Sequence, residues 1–407
     1  MHIVIIGAGP AGVSVAETLR AQGYREAITM LSAEPTPPYS PPAMVDHFLT
    51  GSDVHLWRGR DWPERLGLTY RSGTAVAAVD PDAHTVRLTS GEVLRYDRLV
   101  LAAVSRLYAP VEGSEQEGVY NFKSLSAAEA LIARARAGEA RTALIVGAGF
   151  IGVEIALLLQ ALGLQVTQIE MLDRVIPRML DVETAGMVAE VMRERGVDLR
   201  LNTQARRFIG NGRAQGVELE SGEVLRADIL IAATGIKPNV EFLAGSGIET
   251  HWGVIVDDYL RTNAPDIYAA GDIAEVHDRL TGERYVHAIF PNAVAQGQCV
   301  ALNLLGWKVL YEGAESMNSL KHLGLPVVAV GAQSGAEILR LRRGSTLRQI
   351  VLDEGRIVGF RLVGDTRQAG LLRSLMLRRV DVRPLRDLLL DPRLGVGILV
   401  GQALTGA

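Results

Sequence analysis

The chain reads as an α/β protein made of two copies of one parallel-sheet unit, each with a small antiparallel meander, followed by a C-terminal α+β domain. Three observations predict this. Two strand–glycine-turn–helix stretches stand 140 residues apart, a six-residue string recurs after 131 residues, and residues 311–407 differ in charge from everything before them.

Met1 to Glu34 opens the first copy. His2 to Ile6 is an apolar, β-favouring run that leads straight into Gly7-x-Gly9-x-x-Gly12, and Val13, Ala16 and Leu19 follow at helical spacing until Gly23 stops them. A second strand, Ala27 to Leu31, ends close to Glu34, 22 positions beyond Gly12. The glycines have separate jobs. Gly7 permits a sharp turn, Gly9 lets backbone N–H groups approach a ligand with no Cβ in the way, and Gly12 lets the helix lie close to the sheet. A helix N-terminus carries partial positive charge, and a carboxylate at the end of the second strand suits the two hydroxyls of a ribose. The pattern is that of a Rossmann-like site for an adenine dinucleotide.

The chain then does it again. Thr142 to Val146 is an apolar strand, Gly147-x-Gly149-x-x-Gly152 follows, the helix carries Ile151, Ile155, Leu158 and Leu159, and the strand Gln165 to Ile169 ends on Glu170. Ser221-Gly222-Glu223-Val224-Leu225-Arg226 is identical to Ser90-Gly91-Glu92-Val93-Leu94-Arg95, and Asp228 to Gly235 matches Asp97 to Val104 in register. Two duplicated Rossmann-like dinucleotide-binding domains are therefore expected, each with a meander and a closing strand. In the first copy the meander is Thr74 to Val79, a turn at Pro81-Asp82, His84 to Thr89 and Val93 to Arg95. One mismatch separates the copies: where the second has Thr234-Gly235, the first has Ala103-Val104.

Between these landmarks, Pro35 to Pro42 reads as an extended loop leading to an amphipathic stretch at Met44 to Leu49. Further on, a short strand Ile267 to Ala269 precedes Gly271-Asp272, and Phe290-Pro291-Asn292-Ala293 opens a helix that runs to Leu305. Strands Pro326–Gly331, Ile338–Arg342, Gln349–Leu352 and Val358–Val363, a helix at Arg367–Arg379 and a glycine-rich tail make up the last domain. The expected domains are 1–110 with 236–310, then 111–235, then 311–407.

At 407 residues and 48% hydrophobic content the chain can bury more than one core. A net charge of −4 without long basic runs argues against a nucleic-acid partner. No apolar segment is long enough to span a membrane and no leader precedes the first strand, so a cytoplasmic location is expected. The single cysteine, Cys299, excludes an internal disulfide, a redox dithiol and a metal site of clustered thiols; it reads as a buried helical residue. Residues 311–407 carry +5 and residues 1–310 carry −9.

Taken jointly, Gly7-Ala8-Gly9-Pro10-Ala11-Gly12, Pro38-Tyr39-Ser40-x-Pro42, Gly147-Ala148-Gly149-Phe150-Ile151-Gly152-Val153-Glu154, Ala233-Thr234-Gly235, Tyr268-Ala269-Ala270-Gly271-Asp272 and Pro291-Asn292-Ala293 carry a resemblance across the whole chain. The sequence resembles the flavoprotein reductases of the pyridine nucleotide-disulfide oxidoreductase class, and within it the NADH-dependent ferredoxin and rubredoxin reductase branch, with the flavin part of nitrite reductases as a relative. The resemblance implies FAD on the first copy, with Gly7, Gly9, Ala11 and Gly12 at the pyrophosphate and Glu34 at the ribose. It implies Gly271-Asp272 at a ribityl hydroxyl, and the helix opening at Pro291, Asn292 and Ala293 aimed at the flavin's pyrimidine end.

The second copy would bind NADH through Gly147, Gly149, Phe150, Ile151, Gly152, Glu170 and Gly235. Glu170 would repel the 2′-phosphate of NADP, while nearby Arg174 argues the other way. Glu154 matches the family's acid near the nicotinamide and is the one catalytic candidate; its other reading is a first-turn acid complementing the helix dipole.

The implied activity is transfer of a hydride from NADH to flavin N5 and of electrons to an external acceptor, an acidic carrier protein or a partner iron–sulfur subunit. The basic excess at Arg340, Arg342, Arg343, Arg378 and Arg379 would steer such a carrier, or serve as solvated surface or homodimer contacts. Two alternatives stand beside this: a flavin subunit of a multi-subunit dehydrogenase, and a low-turnover NADH-sensing flavoprotein. The sequence departs from the family in having no lysine, arginine or cysteine in the loop Pro41 to Asp46.

Overall fold

The computed structural model describes residues 1–55 and 59–395. Its contacts group into two units: Met1–Pro110, Val119–Ala140 and Gly235–Glu315 in the first, and Val111–Gly118, Arg141–Thr234 and the chain from Ser316 in the second.

The first unit is built on a parallel sheet in the order Ile267–Ala269, Arg98–Leu101, Ile3–Ile6, Ile28–Leu31, Thr69–Arg71. Its central strands are buried along their whole length, as expected when both faces are covered. Ile3 pairs with Ile28 on one side and Arg98 on the other, which sets the two strand ends beside the glycine turn. Helix Pro10–Ala21 follows that turn, and helix Phe290–Leu304 crosses it closely: a Cβ on Gly297 would lie 2.4 Å from the carbonyl oxygen of Ala11. The meander Val76–Asp80, Thr85–Leu88, Val93–Arg95 is antiparallel as the alternation predicts.

In the second unit the parallel strands run Asp198–Arg200, Gln165–Ile169, Thr142–Val146, Ile229–Ala232. Its meander is Ala205–Gly210, Ala214–Leu219, Val224–Arg226. An antiparallel sheet follows, ordered Met317–Leu320, Val327–Gly331, Arg356–Val363, Thr346–Asp353, Glu337–Arg343, with helix Ala369–Leu377 packed on it.

Three features differ from the sequence expectation. Residues 119–140 pack in the first unit, because helix Leu125–Arg136 bonds back to it: Tyr39 Oη accepts from the Leu125 N–H at 3.0 Å and Glu34 accepts from Ser126. The C-terminal sheet groups with the second unit instead of standing apart. Strand Met317–Leu320 has two adjacent polar residues, Asn318 and Ser319, at its middle and is half-buried, so periodicity alone did not reveal it. A smaller difference lies at Pro41–Ala43, a 3₁₀ turn within the expected loop end; proline tolerates the first turn of a helix because its missing N–H would be unpaired there. The glycine-rich tail from residue 396 lies outside the described residues.

Among the described residues no helix is long and apolar enough to cross a membrane. Cys299 is buried; its thiol donates to the Val309 carbonyl at 3.3 Å, and burial pushes its pKa up to about 11.

His287, just before helix Phe290–Leu304, is buried against Tyr285 with ring centroids 3.7 Å apart, and its Nε2 lies 4.0 Å from Asp278. Burial pushes its imidazole down to about 4, against the pull of Asp278. Between that value and the ordinary 6.5 the unfolded chain binds a proton that the folded chain refuses, so stability falls as pH drops through this window. Denaturant unfolding from pH 7 to 4 is expected to show this slope, and His287→Gln to flatten it.

Candidate dinucleotide sites

In the first unit the glycine turn is defined by backbone against backbone. Gly7 has φ +114°, and a Cβ there would lie 2.1 Å from the Ala102 carbonyl oxygen; a Cβ on Gly12 would lie 2.1 Å from the oxygen of Gly7. Gly9 is the extended N-cap residue of helix Pro10–Ala21, which has no side-chain cap and no acid in its first turn. Its leading N–H groups are thus left to a ligand, and an anion suits them. Val104 sits beside this turn, its Cγ1 3.2 Å from where a Gly9 Cβ would be. The Ala103-Val104 departure is accommodated without positive φ, and Asn239 Nδ2 donates to the Val104 carbonyl at 2.6 Å.

Glu34 lies past the end of the second strand and is half-buried. Its carboxylate accepts from the Ser126 hydroxyl at 3.0 and 3.1 Å and from the Ser126 N–H at 3.3 Å. A carboxylate has about four lone-pair sites, which leaves acceptor capacity for ribose hydroxyls.

The Gly271-Asp272 turn rests on the start of the same helix. Gly271 has φ +81°, its N–H donates to Gln296 Oε1 at 2.6 Å, and a Cβ on it would come 2.9 Å from the Cβ of Ala11. Asp272 Oδ2 accepts from Ser105 Oγ at 2.6 Å and lies 3.2 Å from Lys123 Nζ. Burial pushes the Asp272 carboxyl upward, but the Lys123 charge and the Ser105 hydrogen bond outweigh it and hold the group below its ordinary value. Lys123 is the basic residue that sequence reasoning missed. It comes from the segment assigned to the other domain, not from the loop Pro41 to Asp46. Its signal was compositional: the chain holds only four lysines among its 42 basic residues, so a lysine here is not the chain's default cation.

Helix Phe290–Leu304 has neither a side-chain cap nor an acid in its first turn, and carries proline there. Asn292 braces the turn from outside: its Nδ2 donates to the Glu315 carbonyl at 2.9 Å and its Oδ1 accepts the Glu315 N–H at 3.1 Å. Pro291 is exposed and Ala293 buried, so the backbone N–H groups are what this helix start offers a ligand.

The second unit repeats the turn. Gly147 has φ +102°, and its Cβ would meet the Ala233 oxygen at 2.6 Å; a Cβ on Gly152 would lie 2.4 Å from the oxygen of Gly147, while one on Gly149 would meet nothing. Helix Phe150–Ala161 is uncapped, with Phe150 and Ile151 half-buried at its start. Gly235, expected in this set, belongs to the first unit, where strand Gly235–Pro238 pairs with Ser105–Tyr108.

Glu170 is buried and folded onto its own turn: Oε2 accepts from the Ala148 N–H at 2.8 Å and Oε1 from the Leu172 N–H at 3.0 Å. Arg174 is committed elsewhere, to Asp173 at 2.7 Å and the Leu180 carbonyl at 3.2 Å. Glu154 lies beyond the first helical turn, which removes the helix-dipole reading, and its Oε1 stands 3.7 Å from Nδ1 of His322. Of the five arginines considered for steering, Arg340 and Arg342 both bond Glu183, at 2.8 and 3.2 Å, and Arg340 also faces Asp181. Arg343, Arg378 and Arg379 are exposed.

The sequence model of the pyridine nucleotide-disulphide oxidoreductase family matches residues 1–297. The NADH-dependent phenylglyoxylate dehydrogenase subunit epsilon of Aromatoleum evansii is 28% identical over 97% of this chain and 96% of its own. The rubredoxin-NAD(+) reductase of Pseudomonas putida is 33% identical over 75% of this chain and 80% of its own. Among solved structures, a chain of the covalent putidaredoxin reductase–putidaredoxin complex matches with a TM-score of 0.87 at 27% identity, covering 99% of this chain and 98% of that one.

The contrast between Gly152 and Gly149 is testable by unfolding. Gly152→Ala drives a methyl into a backbone oxygen and is expected to cost about 1–3 kcal/mol, whereas Gly149→Ala enters open space and should stay within about 0.5 kcal/mol of the parent.

Proposed function

The chain belongs to the pyridine nucleotide-disulphide oxidoreductase family, and from that premise we propose that it is an FAD-dependent oxidoreductase that takes a hydride from NADH and passes electrons to an external iron–sulfur or rubredoxin-type carrier. The observation that carries this is the doubled glycine turn, each followed by an uncapped helix start with no acid in its first turn. Two dinucleotides fit those two cradles. Gly9 and Gly149 are extended N-cap residues lacking a side chain, so backbone N–H groups can reach a pyrophosphate.

When bound, FAD supplies acceptance of a hydride and its release as single electrons; the chain supplies binding, orientation and charge. Gly7, Gly9, Ala11 and Gly12 would hold the pyrophosphate and Glu34 the adenosine ribose. Lys123 and Ser105 favour the ionised form of Asp272, which would accept a hydrogen bond from a ribityl hydroxyl. The first turn of helix Phe290–Leu304 would bring partial positive charge to the flavin's pyrimidine end.

On the second copy, Gly147, Gly149, Phe150, Ile151 and Gly152 would take the NADH pyrophosphate, and Glu170 the adenosine ribose. The engagement of Arg174 with Asp173 and Leu180 leaves Glu170 as the dominant charge there and supports NADH over NADPH. Glu154, whose Oε1 stands 3.7 Å from His322, would be the carboxylate beside the nicotinamide. The burial of Cys299 supports direct delivery of electrons to the outside acceptor, without a thiol relay.

For the acceptor, Arg343, Arg378 and Arg379 are the exposed cations that an acidic carrier would meet. A cytoplasmic location and a homodimer are part of the same reading. A second reading, a flavin subunit of a larger dehydrogenase, is favoured by the phenylglyoxylate dehydrogenase subunit, which this chain resembles over nearly the full length of both. Low-turnover NADH sensing is the contrasting reading, told apart by how fast the NADH-reduced flavin is reoxidised and by which acceptor.

Anaerobic titration of the flavin-loaded protein, followed by visible absorbance, should show stoichiometric bleaching with NADH and little with NADPH. A chain that neither retains nor rebinds FAD would overturn the reading. Joint replacement Glu170→Ala and Met171→Arg removes the repelling carboxylate and adds a guanidinium, and should shift the NADH-to-NADPH preference toward NADPH by about tenfold or more. Lys123→Met strips Asp272 of its cation and is expected to weaken FAD binding by roughly tenfold, read from the fluorescence of released flavin.

A further inference from the structure

Arg361 is fully buried in the middle of the C-terminal sheet, on strand Arg356–Val363 between Val327–Gly331 and Thr346–Asp353. Its guanidinium directs its donors to backbone carbonyls: Nε to Met179 at 2.8 Å, Nη2 to Gly331 at 3.1 Å, and Nη1 to Ala332. A buried cation is costly, and an apolar side chain of similar volume would commonly serve a sheet core as well or better. The fork geometry of arginine, with donors fixed in one plane, is suited to joining several carbonyls at once.

One of those carbonyls lies outside the sheet. Met179 belongs to the loop 171–181, which follows Glu170 and ends at helix Val182–Glu194. The same loop is tied to the glycine turn, since the Ile176 N–H donates to the Ala148 carbonyl at 2.8 Å with Ile176 at φ +49°. Ala148 in turn donates to Glu170 at 2.8 Å. On the sheet side the loop is also held by Gln333 Nε2, which donates to the Pro177 carbonyl at 2.9 Å, and by Asn318 Nδ2 against Met179 Sδ at 3.0 Å. The loop therefore spans from the C-terminal sheet to the dinucleotide cradle, all within one unit.

We infer that Arg361 is a positioning residue for NADH: by fixing the Met179 carbonyl it sets loop 171–181, and through it the glycine turn and Glu170. This rests on the reading of the second copy as the NADH site. The C-terminal sheet thereby takes part in coenzyme recognition, although none of its residues is in the dinucleotide fingerprint.

The test compares Arg361→Met and Arg361→Lys with Phe360→Leu in the full-length, flavin-loaded protein. Phe360 is also fully buried on this strand and points to the opposite face, so its truncation reports loss of sheet stability alone. The readouts are FAD content, thermal midpoint, the NADH dissociation constant from equilibrium titration, and KM and kcat with ferricyanide as acceptor. Arg361→Met is expected to raise both the dissociation constant and KM for NADH about tenfold, with kcat within about twofold, and Arg361→Lys to recover part of the loss. FAD content should not change, and Phe360→Leu should lower the midpoint while leaving NADH affinity alone. Unchanged NADH affinity in Arg361→Met, or an equal loss in Phe360→Leu, would overturn the inference. If Arg361→Met does not fold, Gln333→Ala removes the Pro177 tether from a half-buried site; a KM increase of about threefold supports the inference and no change overturns it. Failure of the parent protein itself to bind NADH would overturn the functional reading and the inference with it.

Discussion

The architecture depends on backbone packed against backbone at two glycine turns. At Gly7 and Gly12, and again at Gly147 and Gly152, a carbonyl oxygen occupies the space where a side chain would begin. The turn therefore has one geometry, which fixes the angle at which each helix leaves its sheet. The same close packing extends outward in the first unit, where Gly271 and Gly297 bring the Gly-Asp turn and the helix Phe290–Leu304 onto the first turn of Pro10–Ala21. Uncapped helix starts and open cradles follow from this arrangement, because side chains that could cap them would also fill the approach route.

Much of this was legible in the sequence. Strand Thr142–Val146 begins and ends where the apolar run does, because a strand buried on both faces is apolar almost throughout. Gln165–Ile169 also keeps its expected bounds, although it carries Gln165, Thr167 and Gln168. The internal repeat placed both meanders and both closing strands. What was not legible is polar pairing between distant segments. Lys123 meets Asp272, Ser126 meets Glu34 and His322 stands near Glu154, and no local spacing announces any of these. The grouping of residues 119–140 with the first unit rests on such pairs. The strand Met317–Leu320 escaped for the related reason that its polar middle, Asn318-Ser319, leaves little apolar signal.

The two copies have diverged most in how the acids that follow their second strands, Glu34 and Glu170, are restrained. Glu34 is held by a serine from a helix nearly a hundred residues away, whereas Glu170 is held by its own turn and by the loop that follows it. The first copy thus ties its acid to a neighbouring helix. The second makes its acid part of a continuous run of hydrogen bonds that reaches the C-terminal sheet through Ile176 and Met179. A duplicated unit has in this way acquired two different elastic surroundings around one shared cradle.

The strand Glu337–Arg343 stands at the edge of the C-terminal sheet and carries arginines at 340, 342 and 343. An edge strand offers a row of unpaired backbone groups to any passing extended chain, and proteins blunt such rows with charge. Here an added strand would lie beside three guanidinium groups, two of them held by Glu183. Charge of this kind disfavours strand-by-strand aggregation, a consequence that is independent of any redox partner and would persist in a chain that had lost its flavin.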